Sequence, residues 1–356
     1  MQDLTMIQKK FHKELIRWYL KNKRELPWRE TSDPYPIWLS EIILQQTRVQ
    51  QGMPYYFAFL KQFPTVFDLA NASEKDVLSL WQGLGYYSRA RNLHKTAQQI
   101  VSEFNGIFPD SYTGLLALKG VGPYTAAAIA SFAYKESVAV VDGNVYRVLT
   151  RIFGIYEDIT LPATKKQIAI LAQSLISVKQ ADIYNQAIME FGAIHCTPTE
   201  PNCENCPFSG ICVAYSAGDQ KTLPLKAKSK AKQNRFFNYV VIRSGDAVLM
   251  KERGANDIWQ GLYEFWLHET KHTVVLADLR LDQFHLTEKY FRAEYGPFKH
   301  ILSHQILHAQ FYVFDVSQKI FKSIKKQYSM EEINISEITL TPKPVLITKC
   351  LKAHKF

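Results

Sequence analysis

The sequence predicts an α + α/β multidomain protein, with an all-α domain first and an α+β domain after it. Three observations point there. Apolar residues recur at the helical period from Leu4 to about Gly192 and at the strand period beyond Arg235. A glycine-flanked turn, Gly120-Val121-Gly122, stands between an apolar helical pattern and the alanine-rich run opened by Pro123. Four cysteines crowd between Cys196 and Cys212, where the helical pattern stops. With 356 residues the chain exceeds a typical single domain. The boundaries read as a helical domain over 1–216, a linker over 217–235 and a second domain over 236–356.

Composition narrows the class. Hydrophobic residues make up 47% and charged residues 21%, enough for a packed core and unlike a disordered chain. The net charge of +10 favours a polyanionic partner, although many basic proteins bind no nucleic acid. No stretch approaches the ~20 uninterrupted apolar residues of a membrane span. The N-terminal residues carry no signal-peptide core, so a cytoplasmic protein without a membrane partner is expected. Cysteine use argues for a metal or cluster site instead of a disulfide scaffold, with Cys350 apart as an ordinary buried residue.

In chain order, Leu4, Ile7, Phe11, Leu15, Trp18 and Tyr19 predict an amphipathic helix over 4–22, stopped at Leu26-Pro27-Trp28-Arg29. A second helix is predicted from Pro36 to Val49, with Trp38, Leu39, Ile42 and Ile43 on the core face. Glu41, Gln45 and Arg48 fall on another face, so by pattern alone Glu41 is a solvated glutamate. In segment 81–93 two glycines flank Leu84, and Arg89 and Arg91 follow Tyr86 and Tyr87. That is either a helix turn with buried aromatics or a wedge for a base stack with basic groups on phosphates.

Residues 118–134 then read as helix, hairpin, helix. The bare N–H groups of such a hairpin suit an anion, and a DNA backbone is the natural one, although an ordinary glycine-capped turn has the same pattern. Asp142 ends the β-branched run Val138–Val141 where an N-cap belongs, ahead of the helical positions Val145, Val148 and Ile152. A carboxylate there can cap the helix and still face a pocket. Two more helices cover 164–193. Cys196, Cys203, Cys206 and Cys212 follow with spacings of six, two and five residues, a set that suits tetrahedral zinc or a [4Fe-4S] cluster. The lysine-rich stretch Lys221–Lys232 reads as a linker that also touches phosphates. Beyond it, Tyr239–Arg243 and Ala247–Met250 predict a hairpin, Leu307–Asp315 another strand and Pro344–Ala353 a closing helix.

Several of these segments together resemble the MutY-type adenine DNA glycosylases of the helix-hairpin-helix glycosylase superfamily. They are Pro27-Trp28-Arg29, the run Trp38-Leu39-Ser40-Glu41-Ile42-Ile43-Leu44-Gln45-Gln46-Thr47, segment 81–93, the hairpin with Asp142, and the cysteine spacing. The resemblance runs from Leu26 to about His308. Leu44-Gln45-Gln46-Thr47 alone is shared with endonuclease III relatives; the glutamate three residues before it separates the two.

The resemblance implies a base-excision repair enzyme that hydrolyses the N-glycosidic bond of adenine opposite 8-oxoguanine or guanine in double-stranded DNA. The base must first leave the stack. Glu41 would be the catalytic acid, Asp142 the carboxylate that steadies the sugar, and Tyr124 and Asn144 would orient aspartate and water. Gln46, Leu84 and Tyr86 would probe the duplex. Arg29, Arg89, Lys119 and the hairpin Gly120, Val121 and Gly122 would contact DNA, and the four cysteines would hold a [4Fe-4S] cluster of structural role. A monomer in the bacterial cytoplasm, on nucleoid DNA, is implied as well.

The second domain resembles the Nudix-like C-terminal domain of the same family, including Ile258–Phe265. Residues 268–296 lack the clustered glutamates that a Nudix hydrolase uses for magnesium, so binding without hydrolysis is expected. Of the family's Phe-Ser-His turn for 8-oxoguanine, Ser303 and His304 are kept and Leu302 replaces the aromatic. Tyr124 stands where bifunctional relatives place a lysine nucleophile, which implies a monofunctional enzyme. The rival readings are an endonuclease III type glycosylase and lyase, a non-catalytic DNA-binding protein and a Nudix-type nucleotide hydrolase.

Overall fold

The computed structural model describes residues 4–176, 178–227, 231–279 and 281–353, with side chains from residue 10 onward. The chain forms two compact units, Met1–Ala70 with Lys95–Lys228, and Asn71–His94 with Ser229–Phe356. Residues 71–94, which the sequence reading keeps with the helical domain, thus group with the C-terminal unit. Among the described residues no helix is long and apolar enough to cross a membrane.

The first unit is helical. Its chain runs through α1 (Leu4–Asn22), α2 (Pro34–Ile43), α3 (Val49–Gln62), α4 (Val66–Asn71), α5 (Glu74–Leu80, in the second unit), α6 (Ser88–Phe104, crossing the division), α7 (Tyr112–Leu116), α8 (Pro123–Tyr134), α9 (Gly143–Phe153), α10 (Pro162–Leu175), α11 (Ala181–Ile194) and α12 (Val213–Ala217). Phe11 and Leu15 of α1, Val145, Val148 and Leu149 of α9, and Tyr184, Ile188 and Phe191 of α11 share one core with Phe208. Local chemistry sets the ends. Asp33 caps α2 through Tyr35 N at 2.9 Å, and Pro34 takes its first position. Gly154 closes α9 in the left-handed region at φ 66°, and a Cβ there would lie 2.6 Å from Val213.

Two expectations are corrected here. The helix predicted to Val49 stops at Ile43: Leu44–Thr47 turn, with Gln46 at φ 57°, and α3 starts afresh at Val49. The expected linker is ordered through residue 227. Leu223 is buried, Leu225 O accepts from Ile159 N at 3.1 Å, and Asp158 Oδ2 accepts from Ala227 N at 2.8 Å. The stretch looked linker-like because its side chains are small or basic, yet its backbone groups find partners. Residues 228–230 of the linker lie outside the described residues.

The second unit is built on a seven-stranded sheet of β1 (Gln233–Ser244), β2 (Ala247–Glu252), β3 (Tyr263–Glu264), β4 (Trp266–Thr270), β5 (Phe291–Ile301), β6 (Gln305–Asp315) and β7 (Glu331–Asn334). The strand order is β3-β2-β1-β6-β5, with β4 on β1 and β7 on β2. β1 pairs parallel with β6 from Gln233↔Gln305 to Arg243↔Asp315, so the strand starts inside the expected linker. The predicted hairpin is present, with Ser244 opposite Ala247. Both sheet faces are covered. Phe237, Tyr239 and Val241 pack with Leu346, Ile347 and Cys350 of α14 (Val345–Ala353), while Val240 and Ile242 pack with Phe321 and Ile324 of α13 (Gln318–Gln327).

Candidate active site

Helix α2 is buried on all sides from Ile37 to Ile43, so Glu41 is not the solvated residue that the apolar spacing alone gives. Glu41 is 6% exposed, and its Oε2 accepts the Tyr124 hydroxyl of α8 at 2.6 Å. Burial pushes its pKa up to about 7; the Tyr124 hydrogen bond opposes that rise and the Asp142 charge adds to it. Burial also raises the Tyr124 phenol, so the hydroxyl keeps its proton and donates. Trp28, Arg29, Ile37, Ser40, Phe132, Gln186 and Met189 enclose a cavity of about 30 Å³ beside Glu41. That is room for a water or two, not for a base.

Asp142 does cap α9. Its Oδ1 accepts from Asn144 N and Val145 N, both at 2.8 Å, and its Oδ2 accepts from Asn144 Nδ2 at 2.7 Å. Burial raises its pKa, and these donors oppose the rise. The chain of bonds continues. Asn144 Oδ1 accepts from Arg147 Nη2 at 2.8 Å, and Arg147 also donates to Gly192 O at 2.6 Å and Cys196 O at 2.8 Å. Ahead of the cap, Asn185 fixes the β-branched run by accepting from Val140 N at 3.1 Å and donating to Val138 O at 2.8 Å.

In the hairpin Val121 N donates to Leu118 O at 3.1 Å and Gly120 adopts φ 79°. Lys119, Gly120 and Gly122 are exposed, and nothing lies within 4 Å of where a Cβ on Gly122 would sit. Val121 is 6% exposed, so the hairpin offers its backbone and the lysine, not the valine side chain.

Two arginines expected on DNA turn inward instead. Arg29 donates to Glu190 Oε2 at 2.8 Å and to Arg24 O at 2.9 Å. Glu190, whose side chain is 1% exposed, also takes Arg24. Burial alone would raise the Glu190 pKa, but the two arginines hold it at about 2. A buried carboxylate thus claims Arg29. Arg89 is buried, points to Gly85 O at 3.2 Å and lies 4.9 Å from the Trp81 ring, and burial lowers its pKa to about 10.

Of the expected wedge residues, Leu84 is 6% exposed and packs inward, whereas Tyr86 is 47% exposed at φ 48°. Gln46 is exposed in its turn. The Tyr86 and Ser303 hydroxyls lie 2.6 Å apart. They border a cavity of about 580 Å³ with Arg91, Lys232, Asp257, Trp259, Leu302 and His304. Sequence reasoning placed Arg91 and Lys232 only on phosphates, and it missed Asp257 and Trp259 as wall residues along with Arg24 and Glu190. Trp259 lies within Ile258–Phe265, but its left-handed backbone at φ 63° carries no signal in the residue string.

The four cysteines are free thiols that line one cavity together with Arg151, His195 and Gln220. Burial raises Cys206 to about 12 and moves Cys203 and Cys212 the same way. Among the described residues His195 Nε2 and Gln220 Oε1 are buried without a hydrogen-bond partner. No three His, Cys, Asp or Glu side chains among the described residues are arranged around one metal ion. Four thiols facing a shared space, with orphaned polar atoms beside them, fit a polynuclear cluster that fills it.

The chain matches the HhH-GPD superfamily of base excision DNA repair proteins over residues 39–176 and the NUDIX domain over residues 238–353. It is 32% identical over 337 residues to the adenine DNA glycosylase of Buchnera aphidicola subsp. Schizaphis graminum, covering 94% of this chain and 96% of that relative. To the adenine DNA glycosylase of Homo sapiens it is 42% identical over 222 residues, covering 60% of this chain and 41% of the human protein. Among solved structures, a thermostable thymine-DNA glycosylase is similar with a TM-score of 0.56 at 30% identity, over 60% of this chain and 100% of that one.

Proposed function

The chain belongs to the MutY-type adenine DNA glycosylases, and from that premise we propose that it removes adenine opposite 8-oxoguanine or guanine without cutting the strand. The observation that carries the mechanism is the buried Glu41, held near neutrality beside Tyr124. Adenine is a poor leaving group until a ring nitrogen is protonated, and a carboxylic acid poised near pH 7 can do that. Tyr124 occupies Oε2, which leaves Oε1 to carry the proton toward the base.

As the bond to C1′ stretches, the sugar takes on oxocarbenium character. Asp142 then acts as the nearby carboxylate, its charge favoured by three N–H donors that oppose the rise burial imposes on its pKa, and it is held in place by Asn144. Water adds at C1′, giving free adenine and an abasic site. The 30 Å³ cavity must open to admit the base, with Arg29 as part of its wall. Tyr124 forms no Schiff base, which makes the enzyme monofunctional.

Lys119 and the hairpin N–H groups would grip a phosphate. Gln46 and Tyr86 would probe the stack, and Ser303 and His304 would read the oxidised base, with Leu302 offering an aliphatic contact in place of an aromatic one. Cys196, Cys203, Cys206 and Cys212 would hold a [4Fe-4S] cluster; when bound, it cross-links the 196–212 loop and needs no redox step. The enzyme would act as a monomer on double-stranded DNA in the bacterial cytoplasm.

The test is a single-turnover assay on a duplex with one adenine opposite 8-oxoguanine, with and without alkali, for wild type and Asp142→Asn. Breaks that need alkali and vanish in the variant are expected. Breaks without alkali would mean a lyase, and no abasic product would mean a DNA-binding protein.

A further inference from the structure

Arg151 sits at the C-terminal end of α9 with 1% of its surface exposed. Its guanidinium donates to Leu223 O at 3.1 Å, Thr197 O at 2.7 Å, Pro198 O at 3.1 Å and Cys196 Sγ at 3.3 Å. Among the described residues no carboxylate lies within ion-pair reach of it. Arg253, about as buried, has Glu264 and Asp257. Burying a charge without a counter-ion is costly, so a chain that keeps one should supply the anion in another form.

The cavity that Arg151 lines also holds the four cysteines. Four thiolates around a cubane cluster carry net negative charge, and none of the carbonyls on Arg151 does. The unpartnered His195 Nε2 and Gln220 Oε1 in the same cavity are an independent sign that something with hydrogen-bonding atoms completes it. We propose that Arg151 is the counter-ion of the cluster and donates an N–H···S hydrogen bond to the Cys196 thiolate, thereby setting how firmly the cluster is held and at what potential it takes up an electron. This rests on the iron-sulfur reading above. Hydrogen bonds to cluster sulfurs and nearby positive charge favour the reduced, more negative form, so Arg151 raises the potential. It is a positioning residue and touches neither base nor sugar.

The experiment compares wild type, Arg151→Gln and Arg151→Lys, all full-length and purified without oxygen. Iron and sulfide per chain, the rate of cluster loss to a chelator, and the midpoint of one-electron reduction at an electrode are measured; the electrode supplies the electron and no bond forms or breaks. The glutamine variant should lose its cluster about tenfold faster or more, in line with outer-shell substitutions at metal sites. Its midpoint should move to more negative potential, and lysine, which keeps the charge but not the fork, should fall between. A glutamine variant with wild-type midpoint and loss rate overturns the inference even if its melting temperature drops, because Arg151 would then only pack. If that variant does not fold, an unchanged midpoint and loss rate in the lysine variant overturns it equally. Wild type free of iron and sulfide would refute the iron-sulfur reading, and the inference with it. Loaded wild type with indistinguishable variants would refute the inference alone.

Discussion

Glu41 stores a proton because burial makes its charged form costly, and this has two consequences. On the proposed mechanism base release needs the acid form, so the single-turnover rate should fall on the alkaline side with an apparent pKa of about 7. Stability moves with pH as well. The folded pKa lies above the usual 4.5, so the contribution of the neutral carboxyl is complete below about 4.5 and is lost as pH rises through about 7. The loss amounts to about 3 kcal/mol. Glu41→Gln should therefore release no adenine yet gain in melting temperature over wild type at pH 8, with the gap closing at pH 4.5; a gap independent of pH would contradict this account. None of that was legible in the residue pattern. Trp38, Leu39, Ile42 and Ile43 define one apolar face by spacing, but the partners that bury the opposite face, Trp28 and Phe132 among them, come from remote segments. Arg29 misled for a similar reason. Nothing local distinguishes an arginine bound for a phosphate from one claimed by a glutamate 161 residues away.

At the level of elements, α9 and α11 approach so closely at Gly192 that a Cβ there would lie 2.7 Å from Asn144 Cβ and 3.0 Å from Asn144 O. Gly192→Ala must move the start of α9, at a cost of about 1–3 kcal/mol for overpacking. Asn144 would shift against Asp142, so single-turnover excision should fall about tenfold or more while duplex affinity holds. Gly143→Ala meets nothing within 4 Å and serves as the control, expected close to wild type in both assays. Equal rates for the two variants would show that Asn144 does not depend on this packing. The start of α9 was readable, since aspartate carries a local capping mechanism. The end of α2 was not. Leu44 to Thr47 suits a helix by propensity, and the left-handed turn at Gln46 forms in a setting where Gln45 Nε2 reaches Thr125 Oγ1 of α8 at 3.3 Å.

For the whole molecule, the switch from helical to strand period announced a second unit, and the net charge of +10 announced a polyanion. That residues 71–94 group with the second unit was not announced, because long-range contacts leave no local trace. The large cavity draws walls from both 85–91 and 232–305. A fragment ending at 228 should keep the helical core around Phe11, Leu149 and Phe191 and still excise adenine. It should lose most of its preference for 8-oxoguanine over guanine opposite that adenine, measured as the ratio of single-turnover rates; an unchanged ratio would place the reader elsewhere. A last consequence comes from the exposed Tyr86 and Ser303 hydroxyls, already joined at 2.6 Å without DNA. If Tyr86 probes the stack as proposed, scanning ordinary duplex must break that bond at each insertion, at about 1 kcal/mol. False stops would then be shortened about fivefold. Tyr86→Phe should linger on undamaged DNA in single-molecule tracking and cover less sequence per second, so a rare target would take longer to reach.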